Sequence, residues 1–360
     1  MVISVIIFII TLLILVVIHE FGHFIMAKRF GIKVEEFGFG IPPRIFGKKI
    51  GETVWSLNWL PLGGFVKLTG EDETDKDKLN DSRSFARAHV NKRMIVVVAG
   101  VVMNLVLSWI LFYTVIINQN FRIIYPTPDP VVSIARVEEG FPAQGAGIIV
   151  GDRILSIDGK KMEDIEQAVS AIKEKDGQSL TLQIADLDGN FKREVRVIPQ
   201  ETEDGEKLIG VVFSPVGIKI YQTLPEKIFS GISYSYDLTR ITFVGLGRLI
   251  TDVASGNVEK ASQQVAGPVG LARITDSFIS VGAILPYVWF TGVISLTLAI
   301  FNVLPIPALD GGRLFFLIIE ALTKKKVHPE IERIIHTVGF VILIGLSILV
   351  AFSDIKKIIP

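Results

Sequence analysis

Apolar residues in this chain fall in long blocks separated by polar stretches. The first block carries no charged residue from Met1 to Ile18, and comparable blocks run over Met94–Ile117, 281–304 and Ile334–Phe352. About 20 apolar residues in a helix span the hydrocarbon core of a bilayer, so each block is long enough to cross. The pattern predicts a polytopic α-helical membrane protein with four transmembrane helices, in segments 1–27, 93–118, 281–304 and 332–353. A further block, Ile228–Ile250, holds Asp237 and Arg240 in its middle and is rich in Ser, Tyr and Gly. It reads as a membrane-surface or groove-lining helix within a linker of residues 201–280.

The stretches between the blocks differ in kind. Residues 28–92 are basic near both membrane ends, through Lys28, Arg29 and Lys33 and then Arg83, Arg87 and Lys92, which marks a cytoplasmic loop. Inside it, Ile50–Trp59 and Gly64–Leu68 read as strands of a membrane-associated β-hairpin or small sheet. Backbone of that kind enters a membrane only where protein or a water-filled cavity satisfies it. Trp55 and Trp59 also fit an anchor at headgroup depth. Residues 71–81 read as solvated and residues 84–92 as a short interfacial helix. Residues 125–200 alternate β-rich runs with turns: Val131–Val137, Arg153–Ile157, Leu180–Ile184 and Lys192–Val197, with a polar helix over about 161–174. The turn Ala254–Asn257 and the Gly267-Pro268-Val269-Gly270 run punctuate the chain ahead of the third long block.

Composition narrows the classes. Hydrophobic residues make up 49% of 360 positions, there is no cysteine, and the formal net charge is zero. Disulfides and thiolate metal sites are therefore excluded, and nucleic acid is not an expected partner. The first block lacks a basic leader and a small-residue cleavage signal, so it reads as a retained span. Counting spans from there makes the chain a multi-pass membrane protein with the N-terminus, the 125–200 insert and the C-terminal tail outside.

The candidate chemistry begins inside the first block. His19-Glu20-Phe21-Gly22-His23 puts two imidazoles four residues apart on one helical face, with Glu20 next to the first. Such a pair binds zinc (Zn2+), and the glutamate takes a proton from an attacking water. Ionisable groups at membrane depth are expensive and mark function, although a buried polar cluster joining helices gives the same pattern. Zinc needs a third protein ligand. Asp310 fills that role, in Asn302-Val303-Leu304-Pro305-Ile306-Pro307-Ala308-Leu309-Asp310-Gly311-Gly312, a stretch whose prolines and glycines predict a helix that breaks and restarts within 305–331. The alternative for Asp310 is a helix cap. Asn302 is placed to donate to a bound peptide or its developing charge. Asn104, four residues after Gly100, faces the metal site, a substrate, or a neighbouring helix through an ordinary hydrogen bond. The first and third spans end on the same side, which lets Asp310 meet the histidines.

These residues, with Pro61–Lys67, Ala99-Gly100 and Gly267–Gly270, resemble the site-two protease family of intramembrane zinc metalloproteases, and the bacterial branch related to the regulator-of-sigma-E protease most of all. Glu139–Ile148 and Val150–Gly159 resemble an extracytoplasmic PDZ-like α/β domain of the bacterial type. The resemblance implies zinc held by His19, His23 and Asp310, with Glu20 as general base and acid. It implies cleavage within transmembrane segments of single-span proteins, of the anti-sigma factor or remnant signal peptide type. The PDZ groove accepts a peptide as an added strand, and the domain either recruits substrate tails or sterically blocks bulky proteins. Val101 stands where the family often has proline, and the length leaves room for one PDZ-like domain. Three other classes compete: a catalytically inactive PDZ scaffold in the membrane, a metal transporter, and a protease of soluble peptides. A scaffold has no use for Glu20, and a transporter needs polar residues along a path. A protease of soluble peptides has no need for ligands inside apolar spans.

Overall fold

A computed structural model describes residues 2–71, 79–126, 131–174, 178–186, 192–201, 206–257, 262 and 265–357. Residues 1–112 with 249–360 form one compact unit and residues 113–248 a second.

Helix α1 (Val2–Arg29) ends with Lys28 and Arg29 at its negative pole, and Gly31 at φ +74 turns the chain out of it. Strands β1 (Val34–Ile50) and β2 (Thr53–Leu68) follow as an antiparallel hairpin closed at Gly51 and Glu52. The hairpin is longer than the two strands expected: β2 is continuous, and the glycine-broken stretch before Ile50 is itself a strand. The reason is that the hairpin folds on itself. Glu36–Phe39 pairs with Gly64–Lys67 on one side and with Val54–Leu57 on the other. Gly40 (φ +81) and Gly63 (φ +102) supply the bends, so the glycines shape the sheet instead of ending it. Trp55 stacks on Phe37 at 4.7 Å and meets Phe24 of α1 at 5.3 Å, whereas Trp59 is exposed. Of the two tryptophans, Trp59 alone keeps the geometry of an anchor.

Residues 72–78 lie outside the described residues. No separate helix covers 84–92: a 3-10 turn at Phe85–Arg87 leads into α2 (Val90–Asn118). Phe85 packs on the buried cluster of Ala27, Val34, Leu68 and Val96, and its N–H bonds Thr69 O at 2.8 Å, which pulls this segment onto the sheet. Helices α1 and α2 touch at Gly22, where a Cβ would lie 2.3 Å from the Ala99 carbonyl oxygen.

The second unit opens with β3 (Arg122–Tyr125), then β4 (Val132–Val137), β5 (Arg153–Ile157), α3 (Ile165–Lys173), β6 (Leu180–Ala185) and β7 (Lys192–Val197). This is the strand and helix order expected of the PDZ-like insert. Helix α3 starts later than the polar pattern because Asp164 caps it, accepting Gln167 N–H at 2.8 Å. Strand β8 (Val211–Ser214) adds to β4, giving the order β8-β4-β5-β6-β7, so the sheet reaches past residue 200. Its core is Ile134, Leu180, Leu182, Ile184 and Ile209, all essentially buried. Strand β9 (Gly217–Ile220) pairs with β3.

Helix α4 (Ser230–Ala254) holds the two charges noted in the sequence. Asp237 pairs with Lys219, and Arg240 donates to the Tyr125 hydroxyl at 3.2 Å. Among the described residues four helices are long and apolar enough to cross a membrane: α1, α2, α6 (Ile284–Val303) and α8 (Pro329–Lys356). Helix α4 is not one of them. Between α4 and α6 lies α5 (Pro268–Ile279), a helix the sequence pattern did not reveal. Gly267-Pro268-Val269-Gly270 is its start. After α6, the chain breaks and restarts as α7 (Asp310–Thr323), as the prolines and glycines predict.

The start of α5 explains its glycines. Asp354 of α8 is 4% exposed and accepts Gly270 N–H at 2.8 Å, and a Cβ on Gly267 would stand 2.8 Å from the same carboxylate. Replacing Asp354 by alanine leaves this helix start uncapped. Thermal unfolding in detergent should show a destabilisation of about 1 kcal/mol or more, with Asp354→Asn less affected.

Candidate functional site

His19 and His23 lie one turn apart on α1 with their rings edge-on at 4.8 Å. Helix α2 fixes the second ring: His23 Nδ1 donates to Val96 O at 2.8 Å, which leaves Nε2 free to accept or to ligate. Asp310 arrives from the first turn of α7. Its position depends on the break at Leu304–Leu309, where Ala308 adopts φ +75, a conformation rare for a residue with a side chain.

That turn is held by α8. Ala308 N–H donates to His336 Nδ1 at 2.9 Å, and Gly339 lets α8 press on Pro307, where a Cβ would stand at 2.3 Å. Within the restart, a Cβ on Gly312 would meet Ile306 O at 2.6 Å. The glycines therefore compress the break, and His336 satisfies an amide that the broken helix leaves open.

Three atoms converge as a result. His19 Nε2 and His23 Nε2 are 3.1 Å apart, and Asp310 Oδ2 lies 2.8 Å from the first and 3.3 Å from the second. Ligands about 2.0–2.1 Å from a tetrahedral ion stand roughly 3.3 Å from one another, so the set has the size of three corners of a zinc site. Among the described residues, His19, His23 and Asp310 form a group fit to hold a metal ion. Gly100 makes room for it: a Cβ there would lie 2.4 Å from His23 Nε2 and 2.7 Å from His19 Nε2. Burial alone would raise the Asp310 carboxyl, but its contacts with His19 and His23 hold it well below the usual carboxylate range.

A cavity of about 620 Å³ opens onto this set. Glu20, His23 and Asp310 line one part of it, and Phe65 to Leu68 of β2 line another. Glu71, expected to be solvated, is instead a wall of the cavity and pairs with Arg313 of α7. Its carboxylate is drawn in by that guanidinium.

The two asparagines lie elsewhere. Asn104 is fully buried on α2; its carbonyl accepts Ser295 Oγ at 2.8 Å, and its side-chain amide has no hydrogen-bond partner among the described residues. Asn302 is half-buried in the last turn of α6. Neither is among the residues lining the cavity. Sequence reading passed over His336 and Arg313 and took Glu71 as solvated. A signal for His336 existed, since it is a lone histidine at the start of an apolar span.

Known proteins resemble the chain over most of its length. The profile of peptidase family M50 matches residues 7–346. A candidate zinc metalloprotease from Clostridium perfringens is 35% identical over 341 residues, covering 95% of each chain. The zinc metalloprotease RasP of Geobacillus kaustophilus is 30% identical with 98% of each chain covered. The regulator of sigma-W protease RasP of Bacillus subtilis is 28% identical over 99% of both. A PDZ domain of an SdrC-like protein from Listeria innocua is 25% identical with a TM-score of 0.21, covering 23% of this chain and 92% of that one. With a profile spanning most of its length and relatives of matching extent, the chain belongs to peptidase family M50, the site-two proteases, and is a zinc-dependent protease of the membrane.

Proposed function

We propose that this chain hydrolyses peptide bonds within transmembrane segments of single-span proteins, with His19, His23 and Asp310 holding zinc and Glu20 as general base and acid. The observation that carries this reading is the cavity that joins Glu20, His23 and Asp310 to the strand Phe65–Leu68. A transmembrane helix hides its peptide bonds in its own hydrogen bonds, so it must unwind before cleavage. A strand edge beside the ligand set holds the unwound segment by adding it to the sheet. Bound zinc supplies Lewis acidity and an activated water. Glu20 takes the proton of the attacking water and returns it to the departing amine nitrogen. Asn302, at the end of α6, is the proposed donor to the bound peptide. Asn104 supports the ligand helices from within the bundle, on the evidence of its burial.

The same reading places the active site toward the cytoplasmic face, and the termini and the PDZ-like domain outside a bacterial inner membrane. One relative is named a regulator of sigma-W protease, which supports an anti-sigma factor as substrate here, with remnant signal peptides as a second class. Peptide tails of substrates are the proposed ligands of the PDZ-like groove.

The test is cleavage of a panel of tagged single-span proteins by the full chain in liposomes. Glu20→Gln should lower cleavage by about 10²-fold or more while zinc per chain is unchanged. No zinc in either protein together with no cleavage would instead favour the membrane scaffold, whereas zinc bound with no panel member cut points to a missing substrate or prior cut. Gly100→Ala places a methyl group against both ligand nitrogens and should cut bound zinc, measured by metal analysis, along with activity. His336→Leu should lower activity about tenfold by loosening the Ala308 turn, and His336→Asn, which keeps an acceptor near Nδ1, should restore most of it.

A further inference from the structure

The last residue of β2 turns its backbone away from β1. Thr69 N–H donates to Lys33 O at 3.0 Å, so Thr69 faces β1, and alternation along a strand sends the Leu68 amide to the opposite side. Glu71 meets it there. One Glu71 carboxylate oxygen accepts Leu68 N–H at 3.4 Å, and Glu71 N–H donates to Leu68 O at 3.3 Å. The other carboxylate oxygen pairs with Arg313, which lies on the Asp310 side of α7, three residues further on. One side chain thus sits at the end of the strand edge and ties it to the helix that carries Asp310. Leu68, Glu71, Arg313 and Asp310 line the same cavity.

We infer that the Glu71 carboxylate occupies, in cis, a subsite for a backbone carbonyl oxygen of the substrate strand, with Leu68 N–H as its donor and Arg313 as the latch that holds Glu71 there. This rests on the strand-addition reading of the proposed function. An incoming segment that pairs along Val66 and Leu68 supplies a carbonyl in place of the carboxylate. Glu71 then swings off the edge and gives up its pair with Arg313, whose side chain is 43% exposed. A helical segment offers no row of carbonyls and does not displace it. The contact therefore selects for unwound substrate, and at rest it covers an edge that would otherwise pair with any extended chain.

The absence of native cysteine makes a direct test available. The full chain with Glu20→Gln and Val66→Cys is placed in liposomes with a synthetic single-span peptide carrying one central cysteine. Disulfide trapping is then compared with and without Glu71→Ala, Glu71→Gln or Arg313→Gln. Thermal unfolding and zinc content are read on each variant. Glu71→Ala and Arg313→Gln should raise trapping about threefold or more, the scale of one exposed ion pair and one hydrogen bond, with Glu71→Gln between them and wild type. Trapping that is equal or lower in folded, zinc-loaded variants overturns the subsite and leaves strand addition standing. No trapping in any form, the parent included, overturns strand addition and the subsite together.

Discussion

Two imidazoles and a carboxylate brought together by apolar helices are the constraint around which the ligand-bearing unit is arranged. Each of the three is costly alone at membrane depth. Here His19 Nε2, His23 Nε2 and Asp310 Oδ2 meet one another, while the buried His19 Nδ1 has no hydrogen-bond partner among the described residues. Each reaches the meeting point by a different route: His19 and His23 by helical periodicity, and Asp310 by a chain break. The neighbouring contacts keep those routes open. Gly22 brings α1 against the Ala99 carbonyl, and Gly100 leaves the space that the ligand nitrogens need. Val96 uses its carbonyl to orient His23.

The break before Asp310 is the structural opposite of the helix that bears the histidines. A continuous helix satisfies its own amides, whereas a broken one leaves donors that protein must answer. His336 answers Ala308, while Gly312 and Gly339 let the surrounding chain close on the turn. The fourth long helix therefore has a second duty besides crossing the membrane: it holds the turn that sets where Asp310 stands. At its far end, Asp354 repeats the principle by capping α5.

The folded hairpin solves a related problem. Its inner strand is paired on both sides, so an apolar, glycine-rich segment carries few open backbone groups beneath the spans. Phe65–Leu68, at the outer side of that pairing, lines the cavity beside His23 and Asp310. Under the proposed strand addition, substrate capture and edge protection fall on the same few residues, and the Glu71–Arg313 pair stands where they meet.

The sequence by itself determined the four long apolar helices, the histidine pair with Glu20, the break before Asp310 and the strands of the insert. These are local features: a period, a run length or a pair of prolines states them within a few residues. It also pointed to Asp310, because an acid at the end of an apolar block has few other uses. Only the tertiary structure decided what depends on residues far apart in the chain. The pairing of Glu36–Phe39 on both edges, the recruitment of Glu71 by Arg313 and the grip of His336 on Ala308 join positions separated by tens to hundreds of residues. A solvated-looking glutamate and a lone histidine become cavity wall and clamp through the partner that folding delivers. That partner is set by packing, and no local pattern encodes it.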